Sequence, residues 1–183
     1  MTYQPDKHHR RSIRLKGYDY TQAGAYFVTI CTWQHQCLLG EVVDGEMQLN
    51  DYGKIAYAHW CNLLQHHHHL ELDEFIVMPN HLHGILVLTD DTTVKKRHGL
   101  PEILRGFKTF AARRINKMRH LAGVSVWQRG YYEHIIRHER ALRAIRQYIA
   151  NNPLSWEMDE LRPNNSQAWD GRIQDLGLQM KRM

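Results

Sequence analysis

The sequence predicts an α+β protein of the ferredoxin-like type, an antiparallel sheet of βαββαβ order with helices packed on it, a small inserted β-hairpin and an appended C-terminal helix. Two observations carry that prediction. Segments with strand-like alternation or dense β-branched content are interleaved with segments of helical period, in the order strand, helix, two strands, helix, strand, helix. The two central strands meet across Pro79-Asn80, a turn-prone pair that suits a tight antiparallel connection.

The first strand is AYFVTICTW, Ala25 to Trp33, rich in aromatic and β-branched residues after the punctuating Gly24. GEVVDGEMQLN follows as the inserted hairpin around Asp44-Gly45, a dipeptide favoured in type I′ turns. From Asp51, an acidic N-cap candidate, Ile55, Ala56, Trp60, Leu63 and Leu64 keep a helical period that should end near Gln65. His66 to His69 lie inside the chain and read as a solvated loop rather than an affinity tag. LDEFIVMP and HLHGILVL are the paired central strands, and DDTTVKKRHG is a polar, turn-rich loop. PEILRGFKTFAARRINKMRH accepts Pro101 in a first helical turn and lines Ile103, Leu104, Phe107, Phe110, Ala111, Ile115 and Met118 along one face. VWQRGYYEHIIR reads as a strand with Tyr132, His134 and Ile136 facing one way and Tyr131, Glu133 and Ile135 the other. The last helix opens near His138 and stops at Pro153, which cannot continue it. Beyond Trp156 the pattern is weak, which predicts an irregular tail over about 157–183 with room for a short helix near Arg172 to Leu178.

At 183 residues the chain is long enough for one core-bearing domain and too short for two of ordinary size, so 1–183 is read as a single domain with a basic N-terminal arm over about 1–24. A content of 43% hydrophobic and 23% charged residues excludes the disordered class. No apolar run is long enough to cross a bilayer, and Met1 to Lys16 lacks the apolar core of a signal peptide. A cytoplasmic protein without a membrane partner is therefore expected. Cys31, Cys37 and Cys61 form no CxxC pair and are odd in number, so they read as buried reduced thiols rather than disulfides or a zinc site.

A net charge of +5 and 14 histidines point to a phosphate-rich partner. Two stretches concentrate the charge. KHHRRSIRLKGYDY, with Arg10, Arg11 and Arg14, reads either as an arm along a nucleic-acid backbone or as a solvated terminus. The helix opened by Pro101 carries Arg105, Lys108, Arg113, Arg114, Lys117 and Arg119 against the lone Glu102. An ordinary solvated face mixes signs, so this helix is the stronger candidate for contacting phosphates.

In MPNHLHGILVL, residues two apart on a strand share a face, so His81 and His83 project together while Leu82 and Gly84 turn away. Such a pair can bind one divalent ion, or it can be two strand-end histidines bonded to backbone or water. In the last helix Tyr148 and Asn152 stand four apart and share a sector with Ile145 and Ile149, so both should face the sheet. The plainer reading is a core tyrosine with a satisfied hydroxyl and an asparagine capping the helix before proline.

MPNHLHGI, RGFKTFAARRIN, VWQRGYYEHIIR and QYIANNP, in this order and at these separations, resemble the single-tyrosine HUH transposases, most of all the REP-associated tyrosine transposases. The similarity runs from Arg10 to about Trp156. It implies that His81 and His83 bind a divalent metal completed by Asn152, and that Tyr148 is the nucleophile. Tyr131 and Tyr132 it leaves to packing or DNA stacking. It further implies cleavage of single-stranded DNA at hairpin-forming repeats through a 5′-phosphotyrosine link with a free 3′-OH, by a monomer or homodimer. The residue types suit that chemistry. A phenol with a pKa of about 10 needs a nearby cation to act as a nucleophile near neutrality. Mg²⁺ or Mn²⁺ accepts imidazole and amide oxygen and keeps positions open for phosphate oxygens.

On this resemblance Arg10, Arg11, Arg14, Arg105, Lys108, Arg113 and Lys117 would hold the DNA backbone, and Trp127, Tyr131 and Tyr132 would stack on unpaired bases. Glu133 and His134 are candidate supports of the site or DNA contacts, beside the plainer role of structural strand residues. Two other classes fit the same residues. One is a non-catalytic DNA-binding module or repressor, which forms no covalent adduct. The other is a metal-dependent phosphodiesterase using activated water, in which Tyr148→Phe still cuts.

Overall fold

A computed structural model describes residues 15, 17–91, 93 and 97–163. Arg10, Arg11 and Arg14, and the short helix expected near 172–178, lie outside the described residues. The strands are β1 (Gly24–Cys31), β2 (Gly40–Val43), β3 (Glu46–Leu49), β4 (Leu70–Val77), β5 (His81–Leu88) and β6 (Tyr132–Ile136). The helices are α1 (Asp51–Cys61), α2 (Leu63–His66), α3 (Leu100–Met118) and α4 (Glu139–Asn151).

Four strands form an antiparallel sheet in the order β4-β5-β1-β6, while β2 and β3 pair as the separate hairpin. This is the ferredoxin-like order. Asp44 and Gly45 both take positive φ, 52° and 77°, as a type I′ turn requires.

The period-two alternation of β5 sorts its residues between two cores. Leu82, Leu86 and Leu88 join Val28 and Ile30 of β1, Trp60 of α1, and Ile103, Leu104, Phe107, Ala111 and Ile115 of α3. Gly84 belongs to this side because a Cβ there would lie 2.5 Å from the Trp60 ring. On the other side Ile85 and Phe27 pack against Ile145 and Ile149 of α4 alone. The appended helix is therefore the helix that covers this face of the sheet among the described residues, and His81 and His83 fall on that face. A bidentate ion pair adds to its docking: Arg146 Nε and Nη2 donate to the two oxygens of Asp73 on β4 at 2.8 and 2.6 Å.

Several expectations change. α1 is capped by Asn50, whose Oδ1 accepts from the Tyr52 and Gly53 N–H groups at 2.9 and 3.0 Å, so Asp51 is a first-turn residue. The helical run breaks at Asn62, and the single turn α2 follows. The His66–His69 run is solvated only in part: His66 and His68 are exposed and His67 half-buried, but His69 is 1% exposed and its Nε2–H donates to His98 O at 2.9 Å. Phe110 and Met118 are exposed: Phe110 lies at the margin of the buried stripe of α3, and Met118 is the last residue of the helix, past the last buried position of that stripe. Only Cys31 is a buried thiol; Cys37 is exposed and Cys61 half-buried. Trp127 lies outside β6 and makes a lone bridge to Thr32, since Gly130 at φ 83° turns the chain before the strand begins. The segment after α4 is ordered at its start, with a 3₁₀ turn at Trp156–Met158 and Trp156 and Leu161 buried. Among the described residues no helix is long and apolar enough to cross a membrane.

Candidate active site

The start of β5 and the end of α4 meet on the α4 side of the sheet. β1 supplies the floor, with Cys31 opposite His81 and Thr29 opposite His83. The two imidazoles stand 4.4 Å apart between centroids, and both are buried.

Their orientation comes from a few hydrogen bonds. Asn80, fully buried in the turn before β5, donates from Nδ2 to the carbonyls of His35 and Leu161. That fixes its amide, so Asn80 Oδ1 accepts, and the 2.8 Å contact with His81 Nδ1 is an N–H···O bond. His81 is thereby held with its proton on Nδ1 and a lone pair on Nε2. His83 Nδ1 lies 2.8 Å from Thr29 Oγ1, and its Nε2 lies 3.2 Å from the Tyr148 hydroxyl. Tyr148 Oη, on an element 65 residues away in sequence, thus reaches the histidine pair within one chain.

Asn152 is the C-cap of α4 through its backbone, and its side chain is buried with Oδ1 lacking a hydrogen-bond partner among the described residues. The same is true of His81 Nε2. Asp159, from the segment after α4, places Oδ2 3.9 Å from His81 Nε2 with its side chain 6% exposed.

Burial dominates the electrostatics. It lowers His81 to about 4 against the opposing pull of Asp159 and Asn152, and it drives His83 well below the usual imidazole range, with His81 adding to the effect. Both rings are neutral near pH 7. Burial also raises the Tyr148 phenol, with the negative charges of Asp159 and Glu160 acting in the same direction and the Asn152 amide opposing. The bare site therefore holds a neutral phenol and an array of acceptors. No three His, Cys, Asp or Glu among the described residues are gathered as a complete ligand cluster. The donor chemistry nonetheless fits a divalent cation, because His81 Nε2 and Asn152 Oδ1 are buried acceptors with nothing donating to them.

Residues 25–152 match the family model described as IS200-like transposase. The chain belongs to the IS200-like transposase family. A Haemophilus influenzae protein without an assigned function is 42% identical over 175 residues, 87% of this chain and 96% of its own. A second protein from that organism, named a candidate REP-associated tyrosine transposase, is 27% identical over 143 residues, covering 74% of this chain and 73% of its own. The solved structure of a REP-associated tyrosine transposase bound to a REP hairpin superposes with a TM-score of 0.56 at 18% identity, over 80% of this chain and 76% of that one. That likeness concerns the fold. Family membership gives the chain a transposase role, and the matched region ends at Asn152, before Asp159.

The nucleic-acid candidates of this transposase are spread unevenly. Arg113, Lys117 and Lys108 line an open groove of about 590 Å³ between α3 and the 121–127 segment, with Trp127 also in its lining. Arg105 and Arg113 are exposed on α3, and Arg113 also lies over the exposed Phe110 ring at 5.8 Å. Lys108 is already engaged: Nζ donates to Gln128 O and Gly130 O at 2.6 Å each, and burial lowers its pKa to about 8. It pins the turn before β6. Trp127 is 7% exposed and packs on Phe107 at 5.6 Å, which leaves little ring for a base. Tyr132 packs on Phe27 under α4, where burial pushes its phenol up to about 12, and Tyr131 packs against the larger core.

Glu133 and His134 pair with Val28 and Phe27 of β1, one and two positions short of Thr29, so the structure does not bring them to the histidine pair. Sequence reasoning missed Asn80, Thr29 and Asp159. Asn80 directly precedes the His-x-His pair, but turn propensity alone explained it; Asp159 lies in a polar stretch with no local signal at all.

Proposed function

We propose that this transposase cuts and rejoins single-stranded DNA at hairpin-forming repeats through a covalent 5′-phosphotyrosine at Tyr148. His81, His83 and Asn152 would hold a divalent metal, Mg²⁺ or Mn²⁺. The observation that carries the reading is the Tyr148 hydroxyl, 3.2 Å from His83 Nε2 and supplied by the same chain. The REP-hairpin complex of the structural neighbour supports the substrate class.

Tyr148 Oη attacks the scissile phosphorus while the bond to the 3′ oxygen breaks. The proton lost by the phenol is balanced by the one gained at the 3′-OH. The reverse attack by a 3′-OH restores the phosphodiester and frees Tyr148, so strands are exchanged without ATP. When bound, the cation supplies Lewis-acid polarisation of the phosphate and positive charge that favours phenolate. Asn80 holds the His81 tautomer, Thr29 orients His83, and burial under α4 keeps bulk water from competing with the tyrosine. The basic face of α3 would track the DNA backbone.

Incubation of labelled single-stranded hairpin DNA with the protein and Mn²⁺ should give a denaturation-resistant adduct. Tyr148→Phe should abolish both adduct and cleavage while keeping its fold. Continued cutting by that variant would favour the water-activating phosphodiesterase instead, and absence of any cutting or adduct by the parent protein would favour a binding module.

A further inference from the structure

We propose that Asp159 is an additional metal ligand of this site, delivered by the segment that follows the tyrosine helix. The proposal rests on the metal-dependent reading above and extends it to a residue beyond the region matched by the family model. Past Asn151 the chain turns back over His81. Trp156 is buried with its ring 6.2 Å from the His81 ring, and the buried Leu161 accepts from Asn80 Nδ2 through its carbonyl. Asp159 lies between these anchors. Its Oδ1 accepts from Leu161 N–H at 2.7 Å, which aims Oδ2 at His81 Nε2, 3.9 Å away.

Those two facing atoms are both electron-rich. Asn80 holds the His81 proton on Nδ1, so Nε2 has none to offer the carboxylate. Asn152 Oδ1 adds another buried acceptor, and among the described residues no donor serves it. A cation is the group that such an arrangement accommodates. Two ligands each ~2.1 Å from an octahedral ion lie ~3.0 Å apart at right angles, so the 3.9 Å separation closes to a shared-ion geometry with about 1 Å of side-chain movement. Charge points the same way. Two imidazoles and an amide form a neutral set, whereas a carboxylate adds the anionic hard oxygen that Mg²⁺ and Mn²⁺ prefer. Neighbouring Glu157 is turned elsewhere, to Arg162.

The test is Mn²⁺ binding to the full chain without DNA, followed by the electron paramagnetic resonance signal of free Mn²⁺, with melting temperatures measured in the absence of metal. Asp159→Asn keeps an oxygen for Leu161 N–H and removes the charge. It should weaken Mn²⁺ binding about tenfold or more with an unchanged metal-free melting temperature, and Asp159→Glu should recover part of the affinity. Parental Mn²⁺ affinity in Asp159→Asn, with binding lost in His81→Ala, would overturn the proposal while leaving the metal site intact. A lowered melting temperature in both Asp159 variants with unchanged Mn²⁺ affinity would assign Asp159 a structural role and overturn it equally. No saturable Mn²⁺ binding by the parent chain would remove the metal reading and this proposal together.

Discussion

His67 with His69 just before β4 and His81 with His83 at the start of β5 share the His-x-His spacing, and identical spacing leads to different chemistry. Burial is the main force lowering both His67 and His81 to about 4. The first pair sits in a turn, where its ring centroids are 6.1 Å apart: His69 Nε2–H donates to His98 O, His67 Nδ1 meets His98 Nδ1 at 3.4 Å, and His69 Nδ1 is buried with no hydrogen-bond partner among the described residues. The second pair is on a strand, which sets the rings side by side at 4.4 Å. Its Nδ1 atoms bond to Asn80 and Thr29, and its Nε2 atoms face Tyr148 and Asp159. Spacing decides which atoms can share a face. Partners from distant elements decide what those atoms do.

The strongest way to break this comparison is to delete the chemistry at each pair in turn. Tyr148→Phe should lower DNA cleavage by about 10⁴-fold or more, as removal of a covalent nucleophile does elsewhere. His81→Ala should abolish saturable Mn²⁺ binding, whereas His67→Ala should leave cleavage within about threefold of the parent under the same conditions. A cleavage-dead His67→Ala that is still folded would show that the two pairs had been assigned the wrong way round.

Asn80→Ala sharpens the comparison at the level of tautomer. With Oδ1 gone, His81 is free to place its proton on Nε2, which blocks the lone pair aimed into the site. Metal affinity and cleavage should both fall about 10- to 100-fold, the usual cost of removing a group that orients a metal-binding histidine. Equal Mn²⁺ affinity in parent and variant would show that the tautomer is set by something else.

The β5 half of the site was legible because strand geometry is local: His81 and His83 share a face once Leu82 and Gly84 are seen to join the other one. The helical sector of Tyr148 and Asn152 was legible for the same reason, since Ile145 and Ile149 mark the buried stripe of α4. Other features depend on contacts that no window of sequence contains. Asn80 matters through Leu161, 81 residues away, and Asp159 through His81. His69 is buried because the chain before α3 folds over it. Phe110 is exposed because the core ends one column short of it.

A smaller effect tests how α4 is fastened to its own sheet. Arg146→Ala removes the bidentate pair with Asp73, which is solvent-screened and therefore contributes less than a buried apolar contact. Ile149→Ala, which empties a fully buried position beside Phe27 and Ile85, should cost about 2–5 kcal/mol. Chemical denaturation should rank the two in that order. A larger loss in Arg146→Ala would mean that the ion pair, rather than the apolar contact, holds the tyrosine in place.

The smallest effect concerns protons at the first pair. His67 has its pKa lowered from 6.5 to about 4, mainly by burial and then by the neighbouring His98, His69 and His66. A lowered folded-state pKa means that the unfolded chain binds the proton more readily as the pH falls below 6.5. The stability that depends on a neutral His67 is thus fully present above pH 6.5 and is lost progressively as the pH drops through about 4. His67→Asn removes that titration, so its melting temperature should fall slightly less than the parent's over this interval, while His81 and His83 keep the larger acid sensitivity in both proteins. Superimposable pH profiles would mean that the first pair is better solvated than its packing implies, leaving the contrast with His81 and His83 to rest on partners alone.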